Sequence, residues 1–251
     1  MSIGSELVSI LRTDILDDTK TPYLWPDTEL LRGLNYGEVQ ACRRSHLIID
    51  GSTPNDFGTS ATAGSAGTAG VRPLCQLSLT AGKAVYSLNP KILMVKRCQL
   101  SGMSYPLVGP LSLYEVDEQF PGWTGTSGTV GTASSGGYPL GFMNEPTNTI
   151  TFLMAPSEAC TAYLLVSRLP LFPFLLTTTP EIEEKYHEGL LNWAAHLAYM
   201  KNDSDTFNPQ KAKYYEDKFT SQFGALPNAK SERLVRSMQM NARMRPVRFG
   251  Y

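Results

Sequence analysis

The pair His187-Glu188 is the first feature of the sequence that suggests chemistry, because it opens like the zinc-binding motif HExxH. That motif needs a second histidine three residues after the glutamate, so that both imidazole rings lie on one face of a helix. Leu191 occupies that position, and His196 lies nine residues beyond His187. Nine residues are about two and a half helical turns, which places the two histidines on opposite faces. The spacing therefore favours structural roles for His187 and His196 over metal ligation.

A second candidate for metal binding is the pair Asp203 and Asp205. A calcium-binding loop needs a further oxygen ligand and then a glycine, where this chain has Phe207 and Asn208. A hydrolase built from Asp203, Asp205 and His196 would match no recognised arrangement. The sequence also lacks the motifs GxSxG, GxxxxGK[ST] and GxGxxG. We therefore predict a protein that is not an enzyme and that has no catalytic residues, no cofactor and no bound metal.

The four cysteines, Cys42, Cys75, Cys98 and Cys160, are more than twenty residues apart and form no CxxC pair. This spacing fits neither a zinc cluster nor a disulfide scaffold, so we expect reduced thiols in the core. The N-terminal run carries charged residues and does not resemble a signal peptide. The most apolar segment, 169–180, is too short for a membrane span of about 20 residues and contains three prolines. The sequence therefore predicts neither secretion nor a transmembrane segment.

Charge is distributed unevenly along the chain, although the formal net charge is only −1. Residues 1–229 hold 16 Lys and Arg against 22 Asp and Glu, whereas residues 230–251 hold 6 against 1. This C-terminal arm could follow nucleic acid phosphates or dock on an acidic protein surface through arginine forks and aromatic anchors; a solvated tail is the third interpretation. Its candidate contact residues are Arg233, Arg236, Arg243, Arg245, Arg248, Phe249 and Tyr251.

Helical patterns occupy the N-terminal region, 1–50, which we predict to be a helical hairpin. Ile3, Leu7, Ile10 and Leu11 recur at helical spacing, and a second helix is expected after WPDTELL, capped by Asp27 or Thr28. Gly33 and Gly37 inside the second helix are unfavourable unless another backbone passes close to them. The apolar stripe of that helix is Leu30, Leu34 and Ala41.

The middle of the chain, 71–178, reads as a β-rich insertion. The runs QLSL, AVYSL and ILMVKRCQL predict strands, and a short helix is expected over Leu111 to Gln119. TITFLM and TAYLLVSRL flank Pro156-Ser157-Glu158, and their pattern predicts a hairpin. Residues 51–70, and a second stretch near 120–137, are rich in Gly, Ser and Thr and predict flexible loops.

Two helices are predicted over 179–229. Thr179 and Pro180 have the types expected at a helix start, and Asn208-Pro209 repeats that signal before a last helix that ends at Phe223. The predicted stripe of the first helix is Ile182, Tyr186, Leu190, Trp193, Leu197 and Met200, and that of the last helix is Ala212, Tyr215 and Phe219. The predicted fold class is α+β: a bundle of N- and C-terminal helices, an inserted antiparallel β region and an extended C-terminal arm at 230–251.

Three segments carry a family resemblance: WPDTELLRGLNYGEVQACRRSHLI, TAYLLVSRLP, and the long run from PEIEEKYHEGLLNWAAHLAYM to the last helix. Together they resemble the head-to-tail adaptor, or connector, proteins of tailed bacteriophages. The resemblance implies a structural virion protein of the neck, assembled in the host cytoplasm as a homo-oligomeric ring, usually a dodecamer. Its implied partners are further copies of itself, the portal protein and a downstream tail or neck protein. No membrane is involved.

The resemblance further implies that packaged DNA passes through the ring without specific binding, and that the C-terminal arm reaches the portal. The two Gly/Ser/Thr-rich loops are longer than a minimal adaptor needs. An alternative from another class is an accessory protein that binds nucleic acid without sequence preference through the basic arm. Such binding would weaken steeply with salt, by a log-log slope of about −0.9 per phosphate contacted on duplex DNA.

Overall fold

The computed structural model describes residues 3–51, 74–123, 137–145, 148–202 and 206–232. In these ranges the helices are α1 (Gly4–Ile10), α2 (Asp27–Ser45), α3 (Leu113–Gln119), α4 (His187–Met200) and α5 (Pro209–Phe223). The strands are β1 (Ile48–Gly51), β2 (Gln76–Leu79), β3 (Val85–Ser87), β4 (Ile92–Leu100), β5 (Gly141–Glu145), β6 (Thr149–Leu153) and β7 (Cys160–Arg168). A π-helical turn, Leu11–Ile15, continues α1, and a 3₁₀ turn, Glu184–Tyr186, precedes α4.

Helices and antiparallel strand pairs together confirm the α+β class. The described residues divide into two compact units, and the helical one comprises residues 3–50, 167–202 and 206–228. The other unit comprises the described residues 51, 74–123, 137–145, 148–166 and 229–232. The predicted loop at 51–70 and most of the second loop at 120–137 lie outside the described residues, as does the arm from Arg233 onward.

The core of the helical unit forms where α2 packs against α4 and α4 against α5. The predicted stripe of α2 is confirmed, because Leu30, Leu34 and Ala41 are all buried. The close approach predicted at the helix glycines is also confirmed. A methyl group on Gly33 would lie 3.3 Å from Ala194 Cα, and one on Gly37 would lie 3.3 Å from the Leu190 carbonyl oxygen.

The start of α2 differs slightly from the prediction. Pro26, and neither Asp27 nor Thr28, occupies the N-cap position, and its side chain makes no capping hydrogen bond. The Asp27 carboxylate instead accepts a hydrogen bond from Arg12 Nη2 at 2.6 Å. A tertiary ion pair therefore uses the side chain that the sequence pattern assigned to the cap.

The predicted start of α4 at Thr179-Pro180 is wrong, because the 3₁₀ turn begins only at Glu184 and the α-helix at His187. The backbone N–H groups of Glu181 and Ile182 both donate to Glu38 Oε1, at 2.5 and 3.2 Å. The Glu181 carboxylate accepts from the Leu171 N–H at 2.8 Å. These long-range bonds hold the segment extended where a local pattern favours a helix.

The predicted stripe of α4 is also partly wrong. Leu190 is buried, but Trp193 and Leu197 are only partly covered and Met200 is 48% exposed. The buried face includes three alanines, Ala194, Ala195 and Ala198, beside Leu190 and Leu191. Small residues suit this face because α2 approaches it closely at its two glycines. The last helix matches its prediction, since Asn208 Oδ1 caps the Lys211 N–H at 3.0 Å and Pro209 follows it.

Two sheets form the β structure. In the larger sheet β7 pairs with β1, β2 and β4, and β2 runs antiparallel to it with Gln76 opposite Tyr163. In the smaller sheet β6 lies between β3 and β5, both antiparallel to it. The strands predicted from QLSL, AVYSL and ILMVKRCQL are present, and α3 covers most of the predicted helix, starting after a Ser112 cap.

The predicted hairpin of TITFLM with TAYLLVSRL is wrong, because β6 and β7 belong to different sheets. The observed hairpin joins β5 to β6, with Glu145 opposite Thr149. Between β6 and β7 the backbone takes a left-handed conformation at Met154, with φ of 67°. After β6 the chain therefore leaves the smaller sheet and enters the larger one, and it does not turn back to pair with β6.

Candidate functional site

All three histidines bond to neighbouring parts of the helical unit. His187 is 3% exposed, and its Nε2 lies 3.0 Å from the Ile182 carbonyl oxygen. His196 Nδ1 lies 3.0 Å from the Ala212 carbonyl oxygen, and His46 Nδ1 lies 2.9 Å from Ser167 Oγ. Among the described residues, no group of three or more His, Cys, Asp or Glu side chains could hold a metal ion. The geometry gives these rings packing and hydrogen-bonding roles.

The cysteines are free thiols, and Cys42, Cys75 and Cys98 are buried. Burial disfavours the charged thiolate and raises the pKa of Cys42 and of Cys98 far above the ordinary thiol value. Thiols held protonated are poor nucleophiles and poor metal ligands. Core packing is therefore the role that the structure supports for these two residues.

The residues predicted to form an interface lie outside the described residues. This holds for the whole set of arm residues: Arg233, Arg236, Arg243, Arg245, Arg248, Phe249 and Tyr251. Their assignment rests on sequence and charge. The acidic pair Asp203 and Asp205, considered above for cation binding, also lies outside the described residues.

A buried ion network joins three distant parts of the helical unit. Arg168 and Asp50 side chains are both 0% exposed, and Arg168 Nε donates to Asp50 Oδ2 at 2.9 Å. Arg168 Nη2 also pairs with the Glu181 carboxylate, and Nη1 donates to the Leu169 carbonyl oxygen at 3.0 Å. A buried guanidinium needs such complete pairing, because desolvation of an unpaired charge costs several kcal/mol. The network fixes the chain on both sides of the apolar segment that begins at Leu169.

Glu38 is the nearby carboxyl group of α2, and it is 1% exposed. Burial, opposed by hydrogen bonds from the backbone of Ile182 and Glu181, raises its pKa to about 7 from an ordinary value of 4.5. A carboxyl group with this pKa is largely neutral below pH 7, which limits the negative charge held close to Glu181.

A second ion network orders the chain before α2. Arg12 is 7% exposed and its guanidinium binds Asp18 at 2.5 Å, Asp27 at 2.6 Å and the Trp25 carbonyl oxygen at 2.8 Å. Asp18 in turn accepts the Leu24 and Trp25 N–H groups at 3.0 and 3.2 Å. Neither network was predicted from the sequence. Their local signal was weak: single charged residues in otherwise apolar runs, such as Arg168 in TAYLLVSRL.

An exposed apolar turn follows β7. Phe174 is buried, and the Asn35 amide holds its backbone. The Phe174 N–H donates to Asn35 Oδ1 at 2.8 Å, and Asn35 Nδ2 donates to the Phe174 carbonyl oxygen at 3.0 Å. The Ser5 N–H donates to the Leu176 carbonyl oxygen at 2.8 Å. Leu175 lies between these anchors and Phe172 just before them, and their side chains are 58% and 68% exposed. Residues with this exposure on an anchored backbone are candidates for partner contact.

A groove of about 350 Å³ lies between α2 and α4. Lys201 Nζ and Glu29 Oε2, which both line it, form an ion pair at 2.9 Å. Tyr36 and Met200 at its surface are 55% and 48% exposed. The other apolar lining residues include Trp25, Leu30, Ala194, Leu197 and Ala198.

The β-rich unit carries its own exposed surface near α3. Leu113 and Tyr114, at the start of α3, are 60% and 76% exposed. A wide depression of about 1290 Å³ nearby is lined by both charge signs, with Lys96 and Arg97 facing a space shared with Glu115 and Glu118. Apolar and mixed-charge surfaces of this kind recognise proteins by shape and charge.

None of the helices in the described ranges combines the length and the apolarity needed to cross a membrane. A comparison with models of protein families matches residues 4–248 to the family described as SU10 adaptor protein. The match spans nearly the whole chain and so includes both units. A search of curated proteins found no match.

Proposed function

Because this chain belongs to the SU10 adaptor family of phage head-to-tail adaptors, we propose that it forms a homo-oligomeric ring between the portal protein and the tail. The observation that carries the proposal is the family match over residues 4–248. The protein is thus a structural component of the virion, and the ring, usually a dodecamer in proteins of this type, lines the channel through which DNA leaves the head.

The helical unit has the properties that a ring subunit needs. Its helices pack closely through small residues, and two ion networks hold the connecting segments, so its surfaces keep a fixed shape. A fixed shape lowers the entropic cost of association. The exposed apolar side chains at Phe172, Leu175, Tyr36 and Met200 supply area to bury in contacts with other subunits.

The C-terminal arm supplies the contact with the portal. Its six Lys and Arg residues against one acid give it a strong positive charge, while residues 1–229 are acidic. Arginine forks bind carboxylates in pairs of hydrogen bonds, and aromatic residues such as Phe249 and Tyr251 anchor in pockets. An acidic body also suits the channel, because a surface that avoids phosphate binding does not retard DNA.

Co-assembly with the cognate portal, followed by native mass spectrometry and cryo-electron microscopy, tests the proposal. We expect a ring of this chain attached to the portal, and we expect a chain truncated after Ala229 to fold but to lose portal docking. A full-length chain that never joins the portal contradicts the proposed function. Undiminished docking of the truncated chain contradicts the role of the arm.

The charge of the arm also favours a second candidate, in which the arm binds nucleic acid. That candidate predicts DNA binding by the full-length chain with a steep salt dependence, which truncation removes. DNA binding that is absent at low salt rules it out.

A further inference from the structure

The exposed turn after β7 forms a convex apolar feature, which we call the knob and define as Phe172 and Leu175. Pro170 and Pro173 restrict its backbone, and Phe174 between the two exposed side chains is 4% exposed and fixed by Asn35. The knob therefore holds its shape before any partner arrives, and it loses little conformational entropy on binding.

The groove between α2 and α4 is the matching concave feature. Its floor is formed where Gly33 and Ala194 bring α2 and α4 close together. Its rim carries the charged residues Glu29, Arg32 and Lys201 beside apolar side chains. Tyr36 and Met200 leave about half of their surface in solvent.

The knob and the groove lie on opposite faces of α2. At about 100° per residue, the groove residues Glu29, Gly33 and Tyr36 fall within about 60° of one another. On the same helix, Asn35 binds the segment of the knob and Glu38 binds the segment after it. The midpoint of Asn35 and Glu38 lies about 160° around the helix axis from the midpoint of the groove residues. One rigid helix thus presents a concave face of mixed apolar and charged residues and carries a convex apolar feature behind it.

We propose that the knob of one copy of this chain inserts into the α2–α4 groove of the next copy. This inference rests on the proposed ring and assigns its subunit contact. A contact between two different surfaces of the same chain is heterologous, and it repeats from copy to copy until the rotation closes a ring. A second copy is the occupant because each copy offers one knob and one groove on opposite sides. A two-fold pairing, in which each knob fills the groove of the other copy, would need both features on one side of the subunit, whereas they lie on opposite faces of α2.

Two pairs of surface substitutions test the contact. The knob variant is Phe172→Ser with Leu175→Ser, and the groove variant is Tyr36→Asp with Met200→Asp. All four side chains are substantially exposed, so unfolding is not expected, and thermal melting by circular dichroism checks this. The matched control is Phe207→Ser with Leu226→Ser, which removes a phenylalanine and a leucine that are 49% and 57% exposed elsewhere on the helical unit.

Self-association is measured by mass photometry and native mass spectrometry over a range of concentrations. We expect the wild type and the control to form oligomers, and each test variant to lose at least about tenfold in association constant. In an equal mixture of the two variants, the intact knob of the groove variant can insert into the intact groove of the knob variant, but the opposite contact is lost. It should form dimers of one copy of each and nothing larger.

Cross-linking provides a second measurement that also captures weak contacts. In a Cys160→Ser background, which removes the partly exposed native thiol, a chain with Leu175→Cys and Met200→Cys treated with a short bismaleimide should give a ladder of multimers, whereas either single variant should not.

Oligomers that form equally well with both test variants, or a mixture that stays monomeric, overturn the knob-in-groove contact and leave the ring intact. A wild type that neither associates nor cross-links, and forms no ring with the portal, contradicts the ring itself.

Discussion

Arg168 is the residue on which most of the buried charge in the helical unit converges. It pairs with Asp50, which lies 118 positions earlier in the chain, and with Glu181, which lies 13 positions later. Since all of these contacts are within one protein unit and the guanidinium is 0% exposed, the network is a structural element and not a site for a ligand. Its role is to fix the base of the segment that carries the knob.

We expect Arg168→Met to destabilise the protein by about 3–5 kcal/mol, because it removes the cation that neutralises a buried carboxylate at Asp50. Chemical denaturation measures the loss, and adding Asp50→Asn should recover part of it. The control is Lys185→Met, which breaks the exposed pair with Glu183 and should change the unfolding free energy very little. Equal effects of the two substitutions would show that burial does not determine the strength of the Arg168 network.

The raised pKa of Glu38 makes stability depend on pH. Between its unfolded pKa near 4.5 and its folded pKa of about 7, the folded protein holds a proton that the unfolded chain has released. The contribution of Glu38 to the free energy of unfolding therefore falls as the pH rises through this window and is constant above it.

Glu38→Gln keeps an oxygen that can accept from the Glu181 and Ile182 N–H groups but cannot ionise. We expect the wild type to lose stability relative to this variant by on the order of 1–3 kcal/mol between pH 4.5 and pH 8. Denaturant titrations at several pH values measure the difference. A difference that is independent of pH would place the pKa of Glu38 at its ordinary value.

Close packing of α2 on α4 is the main feature at the scale of secondary-structure elements. On α2, Gly33 meets Ala194 of α4, and Gly37 meets the backbone of Leu190. Met200 of α4 stays about half exposed. This close packing makes the helix pair rigid. The exposed Met200 lines the groove between the two helices.

Gly37→Ala tests this packing. In an open helix the substitution stabilises by about 1 kcal/mol, but here the new methyl group would lie 3.2 Å from Trp193 Cβ and 3.3 Å from the Leu190 carbonyl oxygen. Since the nearest atoms belong to the body of α4, we expect a net loss of about 1–2 kcal/mol. The control is Ser221→Ala at an exposed position of α5, which should be neutral or slightly stabilising. A stabilised Gly37→Ala variant would show that the helices separate easily.

For the whole molecule, the separation of charge between an acidic body and a basic arm is the property that bears most directly on function. The net charge of −1 conceals it, because 6 of the 22 basic residues fall in the last 22 positions. In the proposed ring, opposite charges on one chain would let the arm bind an acidic portal surface without the body retaining DNA. Association through such an arm depends on salt.

We expect replacement of Arg243, Arg245 and Arg248 by Gln to slow association with the portal at low salt by at least about tenfold and to reduce its salt dependence. Replacement by Lys should keep most of the rate, because it keeps the charge, but should speed dissociation, because it loses the paired hydrogen bonds. Surface plasmon resonance at low and high salt measures both rates. Identical rates for all three proteins would exclude the arginines from the contact.

The sequence by itself determined the features that depend on neighbouring residues. Apolar spacing identified the stripe of α2, the pair Asn208-Pro209 located the start of α5, and Gly33 and Gly37 indicated the close approach of another backbone. The segments that resemble head-to-tail adaptors were sufficient to identify the family. These signals are local, because capping and helix propensity act over only a few residues.

Only the tertiary structure decided which distant segments meet. Strand pattern did not show that β6 and β7 enter different sheets, since any two amphipathic strands satisfy the same local rule. The helix signal at Thr179-Pro180 was overridden by Glu38, which lies more than 140 positions earlier and binds the backbone at Glu181. The knob and the groove likewise arise from packing: both depend on which side of α2 faces α4, and that choice is made by contacts across the fold.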